Sequence, residues 1–301
     1  MHSIKWQPMQ DKPEIRPGQS IELLKALHIL TRDGRLNQDS RRKLKQVYHL
    51  YQFIEPLLQQ IRQEQGNIRL VDCGAGKSYL GFILYDLFFK SLPPGSQVVG
   101  IESRNELVLK SRELAAQLGF DAMSFLNLQV DQAISSMASP GLSAGVDIVT
   151  ALHACDTATD DAIRFALSAK ARFIVLAPCC QAEVAAVLRK NKTPFQSGEP
   201  LAAIWRHPLH TREFGSHVTN VLRCLQLESH GYQVTVTELV GWEHSMKNEL
   251  IIASLNKDVP RRRAAEKLDA LLGQLGLTSL QERFFTGFDR SSSPSGSVPV
   301  A

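Results

Sequence analysis

Near the start of the chain, apolar residues recur every three or four positions, the period of a helix with one buried face. Leu23, Leu24, Leu27 and Leu30 follow Ser20, whose hydroxyl can cap a first turn that also holds Glu22. Asp33-Gly34 breaks that pattern. A longer one starts near Asp39-Ser40 and runs to about Gln65, through Leu44, Val47, Leu50, Tyr51, Ile54, Leu57, Leu58 and Ile61. Pro56 stands inside it and would kink the helix or divide it in two. Ahead of both, residues 1–19 carry Pro8, Pro13, Pro17 and Gly18 and read as an extended leader.

From Ile68 the period changes. Short β-rich runs at Arg69–Asp72, Gln97–Glu102, Met123–Leu128, Val146–Leu152 and Phe173–Ala177 are each followed by a helical stretch. Such alternation predicts an α/β fold, a parallel sheet with helices on both faces. A Pro/Gly-containing insertion, Thr193–Gly215, precedes a predicted helix near Ser216–His230. Two runs close the pattern, Gln233–Val240 and Leu250–Leu255, and their short connection makes at least one of them antiparallel to the rest. The sheet is therefore expected to be seven-stranded and mostly parallel, with the last strand antiparallel. The expected divisions are a helical extension over 1–66, the α/β domain over 67–256, a charged helical appendage over 257–290 and a Ser/Pro/Gly-rich disordered tail over 291–301. No internal repeat is visible.

Composition narrows the class. With 301 residues, 44% hydrophobic and 21% charged, the chain has material for a sizeable core and is not a disordered polymer. No apolar run approaches the roughly 18–20 residues needed to cross a bilayer, so no membrane span is expected. Met1–Gln19 lacks an apolar core, so no signal peptide is expected either. Five cysteines, with Cys179 and Cys180 adjacent, make no secreted disulfide framework, and the expected compartment is reducing and cytoplasmic. The net charge is +4, and its excess lies on the flanks, with eleven Lys and Arg against seven Asp and Glu in residues 1–65. A polyanion can be met there, although charge runs are usually solvated helix faces. Oligomeric state is not readable.

The chemistry begins at Leu70-Val71-Asp72-Cys73-Gly74-Ala75-Gly76-Lys77-Ser78, which ends the first strand and opens a helix. Two glycines allow a tight turn and close approach of a ligand to the backbone, and the helix start supplies N–H groups and partial positive charge. A phosphate-binding loop needs G-x-x-x-x-G-K-[ST], but Val71 stands where its first glycine belongs. A dinucleotide loop needs a third glycine, and Tyr79 stands there. A methyltransferase turn needs an acid ending strand one, a G-x-G loop and a second acid ending strand two; Asp72, Gly74-Ala75-Gly76 and Glu102 supply all three. In S-adenosylmethionine, Glu102 would accept hydrogen bonds from the ribose diol. Asp72 would face the ammonium end of the methionine portion, and the Gly74–Gly76 amides its carboxylate. A plain tight turn is the alternative.

Two further stretches leave strand ends, where ligands of open parallel sheets bind. After strand four come Leu152, His153, Ala154, Cys155 and Asp156. His153 and Asp156 either position a substrate and remove its proton, or only tie the turn together. After strand five come Pro178-Cys179-Cys180-Gln181. A soft metal site with His153 and Cys155 lacks the C-x-x-C spacing, so no metal is expected. A cysteine nucleophile would suit methylation at a pyrimidine C5; the blander reading is a pocket floor of small polarizable residues. Glu243-His244-Ser245-Met246-Lys247-Asn248 lies between the last two strands, where Lys247 and Asn248 can contact a phosphate or a base, or be ordinary turn residues.

Together these stretches resemble a family of class I methyltransferases. Its domain carries D-x-G-x-G-K-[GS]-[YF]-L, L-H-A-C-[GD]-x-x-T-D, P-C-C and E-H-[TS]-x-K-N, which stand here at Asp72–Leu80, Leu152–Asp160, Pro178–Cys180 and Glu243–Asn248. The likeness covers about residues 40–255. It looks closest to bacterial methyltransferase-domain proteins and is remotely similar to eukaryotic tRNA ribose methyltransferases.

The resemblance implies a Rossmann-like doubly wound sheet and an S-adenosylmethionine site at Asp72, Gly74, Ala75, Gly76, Lys77, Glu102 and Ser103. Leu128, Gln129 and Val130 would lie near the adenine, and Leu152 and His153 near the transferred methyl. His153, Asp156, Cys179 and Cys180 are the catalytic candidates, and Lys43, Lys45, His244, Lys247 and Asn248 the substrate contacts. RNA is the expected substrate, from the remote tRNA-enzyme likeness and the basic run Arg41-Arg42-Lys43-Leu44-Lys45. The alternatives are a protein or small-molecule substrate, or a non-catalytic module that binds the cofactor. Two departures stand out. Asn127-Leu128-Gln129 replaces the acidic adenine contact of many class I enzymes. Ala151-Leu152-His153-Ala154 replaces the N/D-P-P-Y tetrad of amino-group methylation, which leaves O-, ring-N or C-methylation.

Overall fold

Strands β1 (Arg69–Cys73), β4 (Ile148–Ala151) and β5 (Phe173–Leu176) are almost wholly buried on both faces, so their sequences read as unbroken apolar runs. They form the middle of a seven-stranded sheet in the order β3-β2-β1-β4-β5-β7-β6, with β2 (Gln97–Glu102), β3 (Met123–Asn127), β6 (Tyr232–Glu238) and β7 (Glu249–Leu255). Pairing is parallel from β3 through β5, and β7 runs antiparallel between β5 and β6. The antiparallel final strand matches the expectation from the short link that precedes it. This computed structural model describes residues 15–135, 142, 145–152, 154–178, 181–190, 204, 206–239, 248–256 and 258–285. His153, Cys179, Cys180, His244 and Lys247, most of the expected leader and all of the expected tail lie outside the described residues.

Helices cover both faces. On one side α1 (Ile21–Ala26), α2 (Gln38–Gln65), α3 (Tyr79–Leu87) and α4 (Asn105–Leu118) share a buried cluster with β1 and β2. On the other, α5 (Val130–Ser135) and α6 (Thr157–Ser168) pack with β4, β5 and Leu227. A third cluster joins α7 (Glu183–Lys190), α8 (Pro208–Ser229), α9 (Arg261–Gln274) and α10 (Gln281–Phe284).

The N-terminal helices are tied to this body rather than hung from it. Ser20 caps α1 by accepting from the Leu23 amide at 3.1 Å, as its position predicts. The buried Asp86 carboxylate of α3 accepts the Ser20 amide at 2.9 Å and Lys90 Nζ at 2.6 Å. α1 is shorter than expected, because Leu27 caps it and His28 turns left-handed at φ 54°, well before Asp33-Gly34. α2 is one helix of 28 residues, not two, and passes through Pro56. Burial of Phe53, Ile54, Leu57, Leu58 and Ile61 around that proline offsets the roughly 3 kcal/mol of a lost backbone bond. α8 begins at Pro208 rather than near Ser216, so the end of the expected insertion is helix; proline at the first helical position loses no bond there.

Candidate functional site

The C-terminal ends of β1, β2 and β4 converge on one edge of the sheet, and the residues singled out there come together. Gly74 and Gly76 both take positive φ, 64° and 58°. A side chain at Gly74 would press on Ala154, whose Cβ would lie 3.3 Å away, so the glycine lets the turn sit against the chain leaving β4. A cavity of about 410 Å³ opens beside it, lined by Asp72, Gly74, Ala75, Gly76, Lys77, Tyr79, Leu80, Ile83 and Leu152.

The opposite wall is α1–α2: Leu27, Lys43, Gln46, Val47 and Leu50. Lys43, Gln46, Val47 and Leu50 stand at i, i+3, i+4 and i+7, one face of α2. The apolar members of that face were legible as core positions, but their role as a cavity wall was not. Lys43 lies on the wall and also bonds Asp39 at 2.8 Å and the His28 carbonyl at 3.1 Å. Lys45, two residues on, is exposed and outside the lining.

The two acids sit in contrasting surroundings. Asp72 is 3% exposed. Burial pushes its carboxyl up to about 7, against the lowering influence of the Thr150 hydroxyl, which donates at 2.8 Å, and of the Gly81 amide. Thr150 is a partner that no sequence motif indicated. Glu102 also loses hydration, but three groups more than offset that and hold it below the usual range. They are the Arg104 side chain (Nε to Oε1, 2.9 Å), the Arg104 amide (2.9 Å) and the Gly76 amide (2.7 Å). Arg104 was not anticipated. With the Gly76 amide on Glu102 and the Ala75 amide on the Ile101 carbonyl at 2.9 Å, two of the three turn amides expected to meet a carboxylate are committed within the fold.

Beside Glu102, the Asn127 amide group bonds the carbonyls of Glu102 and Ser103 at 3.1 and 2.8 Å. The stretch Leu128-Gln129-Val130 follows directly and leads into α5. Ser103 is exposed next to the carboxylate.

Asp156, a catalytic candidate, is engaged by structure: its Oδ1 accepts from the amides of Ala182 at 3.0 Å and Glu183 at 3.4 Å. Asn248 closes the β6–β7 pair, with its side chain on Glu238 and its carbonyl accepting the Leu239 amide at 2.7 Å. Cys155 is exposed and Cys73 buried. Among the described residues no cluster of His, Cys, Asp and Glu is suited to a metal, and no helix is long and apolar enough to cross a membrane.

Residues 42–187 match a family described as a methyltransferase domain. The match opens inside α2, so the face of α2 that walls the cavity falls within it. The chain is 25% identical over 217 residues to a glutathione S-transferase C-terminal domain-containing protein homolog of Drosophila melanogaster, covering 63% of this chain and 33% of that protein. It is 22% identical over 239 residues to the protein of that description in Bos taurus, covering 73% and 34%. The chain thus spans about a third of the length of these curated relatives. Among solved structures it is similar to magnesium protoporphyrin IX methyltransferase from Synechocystis with bound SAH. The TM-score there is 0.41 at 15% identity, over 78% of this chain and 95% of that one. Residues 42–187 are thus similar to a methyltransferase domain, and the sheet that carries them is Rossmann-like and mostly parallel.

Proposed function

We propose that this protein transfers the methyl group of S-adenosylmethionine to RNA. The observation that carries the cofactor half is the pairing of one buried, sparsely solvated acid with one ionised acid across a glycine turn. Asp72 opens onto the cavity, and its partners among the described residues are a hydroxyl and an amide, so a cationic ammonium is the group that would complete it. Glu102, held ionised at the end of β2, is an acceptor for a ribose diol once the exposed Arg104 side chain moves aside. When bound, the cofactor supplies an activated methyl on a sulfonium.

The chain's own residues then orient and desolvate. Leu27, Val47, Leu50, Leu80, Ile83 and Leu152 give the cavity apolar walls that exclude water. Lys43 and Lys77 on the lining, with Arg104 beside Gly76, place positive charge around an apolar pocket. That is the arrangement a base or ribose flanked by phosphates would use. The basic start of α2 and the remote likeness to tRNA ribose methyltransferases support the same reading.

The test is filter binding of total RNA at increasing salt, with tritiated methyl transfer into the bound fraction. Binding should weaken at least about tenfold between 50 and 200 mM salt, and label should enter RNA. Undetectable binding at low salt would remove RNA. The apolar walls favour a small apolar acceptor as the second reading, and label appearing only in the low-molecular-weight fraction of an extract would select it.

A further inference from the structure

The turn after β4 has an unusual backbone. Asp156 takes φ 51° and ψ −120°, and the Ala158 amide donates to the Cys155 carbonyl at 3.1 Å. These are the dihedrals of the first central position of a type II′ turn, where glycine is the ordinary occupant. An aspartate persists there only if its surroundings hold it. Two sets of contacts do so. Its side chain accepts from the first amides at the start of α7, Ala182 and Glu183. Its carbonyl accepts from Arg223 Nη2 of α8 at 2.9 Å.

Arg223 is fully buried and grips Asp160 of α6 with two bonds, at 2.7 and 3.0 Å. The chain of bonds continues. Arg223 Nη1 reaches Asn220 Oδ1 at 3.3 Å, which also accepts from Gln181 Nε2 at 3.0 Å. Gln181 Oε1 accepts from the Ser216 hydroxyl at 2.6 Å, and Asn220 donates to Glu249 of β7 at 2.7 Å. α7 in turn lies directly on α8, where a side chain at Gly215 would come within 2.7 Å of Ala185.

We infer that Asp156 is a positioning residue that locks the turn after β4 to the start of α7, and that Arg223 holds the lock from beneath. The inference rests on the methyl-transfer reading for its consequence. Leu152, four residues before Asp156, lines the cavity, and in-line transfer tolerates little change in the placing of the chain around it. In this role Asp156 works through its Oδ1, an acceptor for two backbone amides.

Three variants separate these roles. Asn at 156 keeps an acceptor oxygen and tolerates positive φ, Gly keeps the backbone but removes the acceptor, and Ala loses both. Amide hydrogen exchange should quicken about tenfold or more in residues 181–190 of Asp156→Ala and Asp156→Gly, while Asp156→Asn stays within about threefold of wild type. Methyl transfer into RNA, or into whichever extract fraction accepts label, should fall at least about tenfold in Asp156→Gly and Asp156→Ala. Asp156→Asn should keep it within about fivefold, with an unshifted pH profile.

Loss of transfer in Asp156→Asn equal to that in Asp156→Ala would overturn the inference in favour of a proton acceptor. Unchanged exchange in Asp156→Gly would overturn it outright. If Asp156→Ala does not fold, Asp156→Gly carries the same reading. Failure of the wild-type protein to bind S-adenosylmethionine would instead remove the methyl-transfer reading, and the exchange result would still decide the lock.

Discussion

Two buried acids lie along the same sheet edge and are held oppositely. At β1, Asp72 is almost without solvent and its partners among the described residues are the Thr150 hydroxyl and the Gly81 amide, and its carboxyl is pushed up to about 7. At the start of α6, Asp160 is equally buried but faces the two-pronged grip of Arg223, itself bound to Asn220 and the Asp156 carbonyl. Among the described residues the first acid has two neutral partners beside a cavity; the second is paired inside a network. A buried polar group with missing partners costs stability and is kept where a ligand supplies them, whereas a completed network fixes geometry. On the proposed reading the sheet edge has a receiving half and a holding half.

The largest effect should come from the holding half. Arg223→Met removes the cation and leaves the Asp160 carboxylate buried without its partner, a loss of about 3–5 kcal/mol. Equilibrium urea unfolding measures it. Restoration of most of that loss by Asp160→Asn in the same chain would confirm the uncompensated charge as the cause; no restoration would assign it to lost packing of the long side chain instead.

In the receiving half the sign reverses. Asp72 has a folded-state pKa of about 7, above the ordinary 3.8, so the stability it contributes is full below about 3.8 and is lost as pH rises through about 7. Asp72→Asn keeps an acceptor for Thr150 and never ionises. The variant should match the wild type in unfolding free energy near pH 4 and exceed it above pH 7, by up to about 4 kcal/mol. Cofactor affinity should move the other way. An ammonium selects the ionised carboxylate, so wild-type affinity should fall about tenfold per unit below pH 7, and the variant should bind at least about a hundredfold more weakly. Calorimetry across pH reads both. A variant that is less stable at pH 8, or that keeps its affinity, would place Asp72 among the structural acids.

What the sequence disclosed divides along the same line. That Asp72, Gly74, Gly76 and Glu102 meet was legible because their placement is local: they terminate apolar runs, and strand ends meet at a sheet edge by topology alone. The holding half was not, because Arg223 and Asp160 are 63 positions apart and their meeting depends on how α8 crosses α6. The wall of the cavity fell between these cases. The stripe Val47 and Leu50 on α2 was visible as an apolar face, but an apolar face says that something covers it, not that a cavity remains. The extent of α8 was missed for a different reason: the proline, glycine and histidines of residues 207–215 carry loop-like composition, while Pro208 at the first helical position is a start signal rather than a break.

The smallest expected effect tests where the receiving half ends. Arg104 is 62% exposed in its side chain, and its pair with Glu102 is worth less than about 1 kcal/mol in water. Arg104→Gln should therefore leave stability nearly unchanged. Its effect on the cofactor is set by competition. The guanidinium covers Glu102 Oε1 at 2.9 Å and approaches Oε2 at 3.3 Å, where a ribose diol would have to bond. Removing it should tighten binding by about two- to fivefold at low salt, the fold-change that a fraction of a kcal/mol supplies. Salt screens the exposed pair, so the gap between variant and wild type should close as ionic strength rises. Weaker binding in Arg104→Gln would mean that the guanidinium contacts the cofactor itself, and would extend the receiving half to include it.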